Sequence, residues 1–216
     1  MNYIGIDFSI NSPGICLFTE VSNNYKFINF TNTTKPVEKL KLHYNLYVDV
    51  DCFDLVTYLR DKKNDDYATD QLNKIKNAQD LAYAIVIELE SHIILNYKVK
   101  IGIEGYSYGS RGNAFIDLIA FNSVLRNKLY NRFGNVSVFS PSQIKKHAGK
   151  GNANKLMMFN YFLENALDDK VLENNAFWLW CHDNKDKCFN KKGDIVKPLD
   201  DIVDSYFVCK YLIDLE

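Results

Sequence analysis

The period of apolar positions changes along the chain, and the changes mark out its elements. Residues 2–9 (NYIGIDFS), 14–20 (GICLFTE) and 25–31 (YKFINFT) are short apolar runs separated by the turn-rich segments INSPG and VSNN, the pattern of three strands in a meander. In the first, the period of two puts Ile4, Ile6 and Phe8 on one face and Tyr3, Gly5 and Asp7 on the other. From about Asp70 to Asn96 the period lengthens, with Leu72, Ile75, Ala78, Ala82, Ile85, Val86, Leu89 and Ile93 at helical spacing. A strand at 99–104 follows, then the loop GYSYGSRG, then a helix from about Asn113 with Phe115, Leu118, Ile119, Leu125 and Leu129 on one face. Residues 136–139 read as a strand, and SPSQIKK opens a helix with Ser140 as N-cap and Pro141 in the first position. Residues 153–166 and about 200–214 are helical, while 36–69 and 167–197 have no clear period.

The order βββ–α–β–α–β–α–α predicts an α/β fold: a mixed sheet, antiparallel at its start and then alternating with helices that cover it. A chain of 216 residues with 47% hydrophobic content has enough material for a core. No apolar run approaches the roughly 18 residues a membrane span needs. The start MNYIGIDFS lacks the basic and apolar regions of a secretory signal. Five scattered cysteines (Cys16, Cys52, Cys181, Cys188, Cys209) point to reduced thiols and a cytoplasmic setting. The net charge of −1 gives no general attraction to nucleic acid, so any such affinity must come from local patches.

The chemistry concentrates in acids at element ends. The strands at 2–9 and 99–104 both read apolar–Gly–apolar–acid, ending in Asp7 and Glu104. A glycine two residues before each acid lies on the acid's face and is expected to clear space beside it. In PLDDIVDSYFVCKYL, Asp201 and Asp204 are i, i+3 neighbours on one helical face, where like charges repel unless a cation lies before them. Asp200 reads as a cap or first-turn acid answering the helix dipole. Taken together, Asp7, Glu104, Asp201 and Asp204 are a ligand set of hard oxygens, suited to Mg²⁺, with Mn²⁺ as a substitute. Four carboxylates match two ions about 4 Å apart, the arrangement that clamps both oxygens of a phosphodiester.

In order and placement, IGIDFSINSPGI (4–15), IGIEGYSYGSRGNA (101–114), SPSQIKKHAGKGNANK (140–155) and DDIVDSYFV (200–208) resemble the RuvC-like branch of the ribonuclease H-like superfamily, and within it the phage and viral Holliday junction resolvases. The resemblance implies a mixed five-stranded sheet flanked by helices in one domain over 1–216, with helical or loop insertions near 32–69 and 167–197. It implies a Mg²⁺-dependent endonuclease that cuts branched DNA, typically the four-way junction, as a homodimer, leaving 5′-phosphate and 3′-hydroxyl ends. Asp7, Glu104, Asp201 and Asp204 would hold two ions, and Lys145 and Lys155 fall on the family's two functional lysines, Lys155 near the scissile phosphate. A viral or phage source would place the protein in host cytoplasm.

Independently of the family, Lys145, Lys146, Lys150 and Lys155 form a basic run without an acid, and Gly149 and Gly151 are expected to let backbone N–H groups approach phosphate. Tyr106 and Tyr108, with Arg111, follow Glu104 directly; their rings read equally as platforms for unpaired bases or as packing residues. Competing readings are a non-enzymatic DNA-binding or assembly protein, an RNase H-type or general branch nuclease, and an actin-like ATPase; the last lacks a second phosphate hairpin. A zinc site at Cys181, His182 and Cys188 is disfavoured by its spacing.

Overall fold

In the computed structural model, which describes residues 1–32, 53–93, 97–106, 112–165 and 169–216, a mixed sheet lies between two layers of helices. The meander is β1 (Asn2–Asp7), β2 (Gly14–Thr19) and β3 (Asn24–Thr31), paired antiparallel. On the other side of β1 lie β5 (Val99–Glu104) and then β6 (Val136–Phe139), both parallel to it. The sheet has a sixth strand, β4 (Phe53–Thr57), parallel to β3 at the far edge and giving the order β4-β3-β2-β1-β5-β6. It comes from the segment expected to be an insertion. Its five residues, FDLVT, are too few for a period to stand out beside the charged residues that follow.

The two faces of β1 meet different layers. Ile4, Ile6 and Phe8, with Ile101 and Ile103 of β5, pack under α1 (Tyr67–His92) and α2 (Asn113–Phe133). In α1 the apolar buried stripe is Ala78, Leu81, Ala82, Ile85, Val86 and Leu89; Leu72 and Ile75, expected on it, are 66% and 56% exposed, and the face buried in those first turns is carried by Asp70 and Asn77. The opposite face carries Tyr3, Cys16, Tyr25 and Phe27 under a layer of shorter helices. These are α3 (Pro141–Ala148), α4 (Lys155–Asn165), α5 (Lys170–Glu173), α6 (Ala176–Asp183) and α7 (Leu199–Asp214). Ser140 caps α3 in a reciprocal capping box with Gln143. The described part of 167–197 is mostly helical, and Phe177 and Trp178 bury it against Phe162 and Tyr206. Asp169 holds it as well, accepting hydrogen bonds from Tyr25 (2.8 Å) and Tyr206 (3.2 Å). Among the described cysteines all four are buried free thiols.

α7 lies directly on the sheet backbone. A Cβ on Gly5 would stand 2.2 Å from the Cys209 nitrogen and 2.3 Å from the Ser205 oxygen, and one on Gly14 would stand 2.2 Å from the Asp201 oxygen. The glycine two residues before Asp7 thus makes room for a helix, where the sequence pattern suggested room beside the acid. Gly5→Ala must push α7 off β1, so we expect a loss of about 3 kcal/mol or more, read as a thermal or urea unfolding transition moved sharply down. An unchanged midpoint would mean that α7 does not sit on β1 in this way.

Candidate active site

Strand polarity gathers the acids. β1 and β5 are parallel, so Asp7 and Glu104 end at the same edge of the sheet. Asp7 pairs with Gly14 across β1 and β2, and Gly14 is where the Asp201 backbone rests. Farther along α7, Val208 packs over Gly102, which places the β5 side of the helix above the strand that ends in Glu104. The first turns of α7 therefore hang Asp201 toward β2 and Asp204 toward β5, with Asp7 between them.

The electrostatics follow this layout. Burial pushes the Asp7 carboxyl well above the usual carboxylate range, and Glu104, Asp204 and Asp201 push it further, in that order. Asp204 is pushed up to about 7, by burial first and then by Glu104. Glu104 rises to about 6 through burial, opposed by Lys145 and Lys155. Asp201 is raised by burial and by Asp200, and held down by Lys197 and a hydrogen bond from Ser12. The carboxylates are close enough to repel, yet the four do not form a tight triad. Among the described residues the one set of three or more ligand atoms all within 4.8 Å of one another is Asp54, Glu88 and His92, elsewhere in the fold.

Two residues matter here that the sequence pattern did not single out. Asp200, read as a first-turn acid, is only 3% exposed at its side chain and binds two ammonium groups: Lys155, and Lys197 at 2.9 Å. Lys197 also reaches Asp201 Oδ1 at 2.7 Å. The signal was present as Lys197 lying three and four residues before two consecutive acids. Asp200 Oδ1 and Asp201 Oδ2 are buried with no hydrogen-bond partner. Orphaned, buried carboxylate oxygens beside other acids are costly, and a bound cation would satisfy them. A cleft of about 400 Å³ opens beside Lys197, toward β3 and β4, lined by Ser9, Ser12, Asn29, Thr31, Leu55 and Lys197 among others; none of the acids lines it. The 8–13 loop after Asp7 is itself clamped from the β4 segment: Tyr58 donates to the Ile10 oxygen (2.5 Å) and Arg60 to Asn11 Oδ1 (2.6 Å).

The basic residues divide. Lys145 and Lys155 stand close enough to Glu104 to lower its pKa, and Lys155 does the same for Asp204. Lys146 and Lys150 are exposed farther out along α3 and its C-cap. The Gly149 N–H is taken by the Lys145 carbonyl, and a Cβ on Gly149 would stand 2.7 Å from the Tyr161 ring; this glycine serves packing, where phosphate contact was expected. Tyr106 follows the packing alternative. Arg126 lies 4.7 Å over its ring, Phe115 meets the ring edge-on and its hydroxyl donates to the Ile119 oxygen, so it braces α2. Tyr108 and Arg111 lie outside the described residues. Cys181, His182 and Cys188 form no common ligand cluster; His182 stacks on Trp178.

Because Glu104 and Asp204 bind protons more tightly folded than unfolded, their contribution to stability is complete below the ordinary carboxylate pKa near 4 and lost as pH rises through about 6 to 7. Without divalent ions the melting temperature should fall between pH 5 and pH 8. Asp204→Asn should flatten that fall and stabilise the protein at pH 8 by about 1–2 kcal/mol. Thermal melts in EDTA test this, and equal pH profiles for both proteins would contradict it.

The sequence matches no family model and no curated protein. Among solved structures, the chain is similar to Thermus thermophilus RuvC in complex with a Holliday junction substrate, with 11% identity over 99% of this chain and 96% of that one and a TM-score of 0.51. It is also similar to the yeast mitochondrial Holliday junction resolvase Ydc2, with 15% identity over 95% of this chain and 75% of that one and a TM-score of 0.50. At this identity the likeness speaks to architecture alone: the chain has a RuvC-like α/β fold.

Proposed function

We propose that the protein is a metal-dependent endonuclease that cuts branched DNA, with the four-way Holliday junction as its substrate. The observation that carries this reading is the convergence of Asp7, Glu104, Asp201 and Asp204 from β1, β5 and α7 on one sheet edge, with a buried oxygen of Asp201 left unsatisfied and lysines at the rim. That resolvases on the same fold include one solved in complex with a Holliday junction supports the choice of substrate.

The donor set is all carboxylate oxygen, which fits Mg²⁺, or Mn²⁺ in its place, over a thiolate- or imidazole-seeking ion. In this reading Asp7, Glu104, Asp201 and Asp204 hold two ions. When bound, these would make water acidic enough to attack phosphorus and would stabilise charge on the departing 3′ oxygen, leaving 5′-phosphate and 3′-hydroxyl ends. The remaining work falls to side chains. Lys155, on the acid cluster through Asp200, would meet the scissile phosphate as it enters. Lys145 would neutralise the same region from α3, and Lys146 and Lys150 would contact the backbone farther along the arm. Asp200 is a positioning residue: it holds Lys155 and Lys197 between itself and the ligands. A homodimer would present two such centres for paired cuts across a junction.

The test is cleavage of end-labelled DNA with Mg²⁺ and with EDTA, on a four-way junction, a Y-fork, linear duplex and an RNA–DNA hybrid. Wild type should cut the junction in symmetric pairs, and Asp7→Asn should abolish cutting while junction affinity stays within about threefold. Lys155→Ala should slow cleavage on the order of a hundredfold and weaken binding much less. Cutting by Asp7→Asn with Mg²⁺ would remove the metal assignment. Preferential cutting of the hybrid would turn the function to RNase H chemistry, and tight junction binding by wild type without cutting would make the protein a non-enzymatic binder.

A further inference from the structure

The Asp54, Glu88 and His92 cluster plays no part in the proposed nuclease chemistry. Asp54 is the second residue of β4, while Glu88 and His92 sit one turn apart at the end of α1. Register across the sheet sets Asp54 level with Ile28, Ile15 and Ile6, three strands from β1 and on the face that α1 covers, opposite to the face that carries α7. His92 Nε2 lies 3.0 Å from Asp54 Oδ2 and 3.0 Å from Glu88 Oε1. All three ligand atoms fall within 4.8 Å of one another, a tighter grouping than any three of the strand-end acids achieve.

We propose that Asp54, Glu88 and His92 form a second cation site, for a zinc-class divalent ion, that ties β4 to the last turn of α1. Three lines of chemistry converge on this. Tetrahedral bonds of about 2.0–2.1 Å set neighbouring ligand atoms a little over 3 Å apart, close to the spacing seen here. One imidazole nitrogen with two carboxylates is a borderline donor set that takes Zn²⁺, Co²⁺ or Ni²⁺ ahead of Mg²⁺. The charge also leaves room for a cation: two carboxylates face one ammonium, that of Lys26, which bonds Asp54 Oδ2 at 2.8 Å, the same oxygen offered to the ion, and would have to yield it. The end of α1 adds the negative end of its helix dipole. The three side chains are 22–35% exposed, so water can supply the fourth ligand. Binding would shift the imidazole hydrogen to Nδ1, leaving Nε2 as the donor atom.

The site is tested on the full chain, stripped of metal, in an Asp7→Asn/Asp201→Asn background that disables the strand-end acids. Calorimetric titration with ZnCl₂ should show one ion bound and a raised melting temperature. Glu88→Gln and His92→Gln should each weaken binding by about a hundredfold or more and abolish the thermal shift. Bound Co²⁺ should show the intense visible absorption of a low-coordinate site, lost in the same variants, and MgCl₂ should not compete. Glu88→Gln keeps the side-chain size and decides the matter if His92→Gln fails to fold. No zinc uptake by the background protein, or uptake unaffected by either substitution, overturns the site; the nuclease reading survives both outcomes, because its acids lie on the other face of the sheet.

Discussion

A helix laid on bare backbone is the contact on which the rest of this molecule depends. α7 meets β1 and β2 at Gly5 and Gly14 with separations that leave no room for a methyl group. Those contacts fix the height and direction of the helix, and through them the places of Asp201 and Asp204 above Asp7. A side chain at either glycine would lift the helix and carry two of the four acids away from the other two. The dense aromatic layer around Phe27, Phe162, Phe177, Tyr206 and Phe207 loads the helix from behind, so its seat on the sheet is held by packing on both sides.

What that seat produces is a concentration of negative charge that the protein only partly neutralises. Lys197 and Lys155 answer Asp200 and Asp201, and Lys145 and Lys155 temper Glu104, yet burial and neighbouring acids still hold Asp7 and Asp204 above the usual carboxylate range. A fold that sought only stability would not keep such a cluster. Its cost is understandable if the missing charge arrives from outside, and the orphaned oxygens of Asp200 and Asp201 say where. In the proposed reaction the same unbalanced site that weakens the free protein makes it receptive to cations, and the lysines around it receptive to phosphate.

Much of this was written plainly in the chain. The period of two in 2–9 and 99–104 assigned the right face to Tyr3, Ile4, Ile6, Ile101 and Ile103, because alternation along a strand is a local property. The meander, the capped start of α3 and the i, i+3 acids of α7 were equally visible, since each is a local pattern. Non-local features were hidden. β4 is recognisable only by its partner β3. Gly5 was read as clearance for an acid because nothing in a single strand reveals that a helix 200 residues away rests there. Tyr106 read equally as a ring for a base or as packing, and Arg126, twenty residues on, occupies it. Asp200 read as a cap or first-turn acid and does stand in the first turn, but nothing local showed the two lysines that its burial holds there.

The central claim is that Asp7, Glu104, Asp201 and Asp204 stand close enough to disturb one another and are reconciled by divalent cations. The most direct measurement is a carboxyl ¹³C NMR titration of Glu104 and Asp204, assigned by Gln and Asn substitution, with and without Mg²⁺. The account predicts midpoints near 6 and 7 in the metal-free protein, moving well below 5 when Mg²⁺ is present. Midpoints near 4 for both, unmoved by Mg²⁺, would mean that the acids neither sense one another nor share an ion, and the proposed chemistry would lose its site.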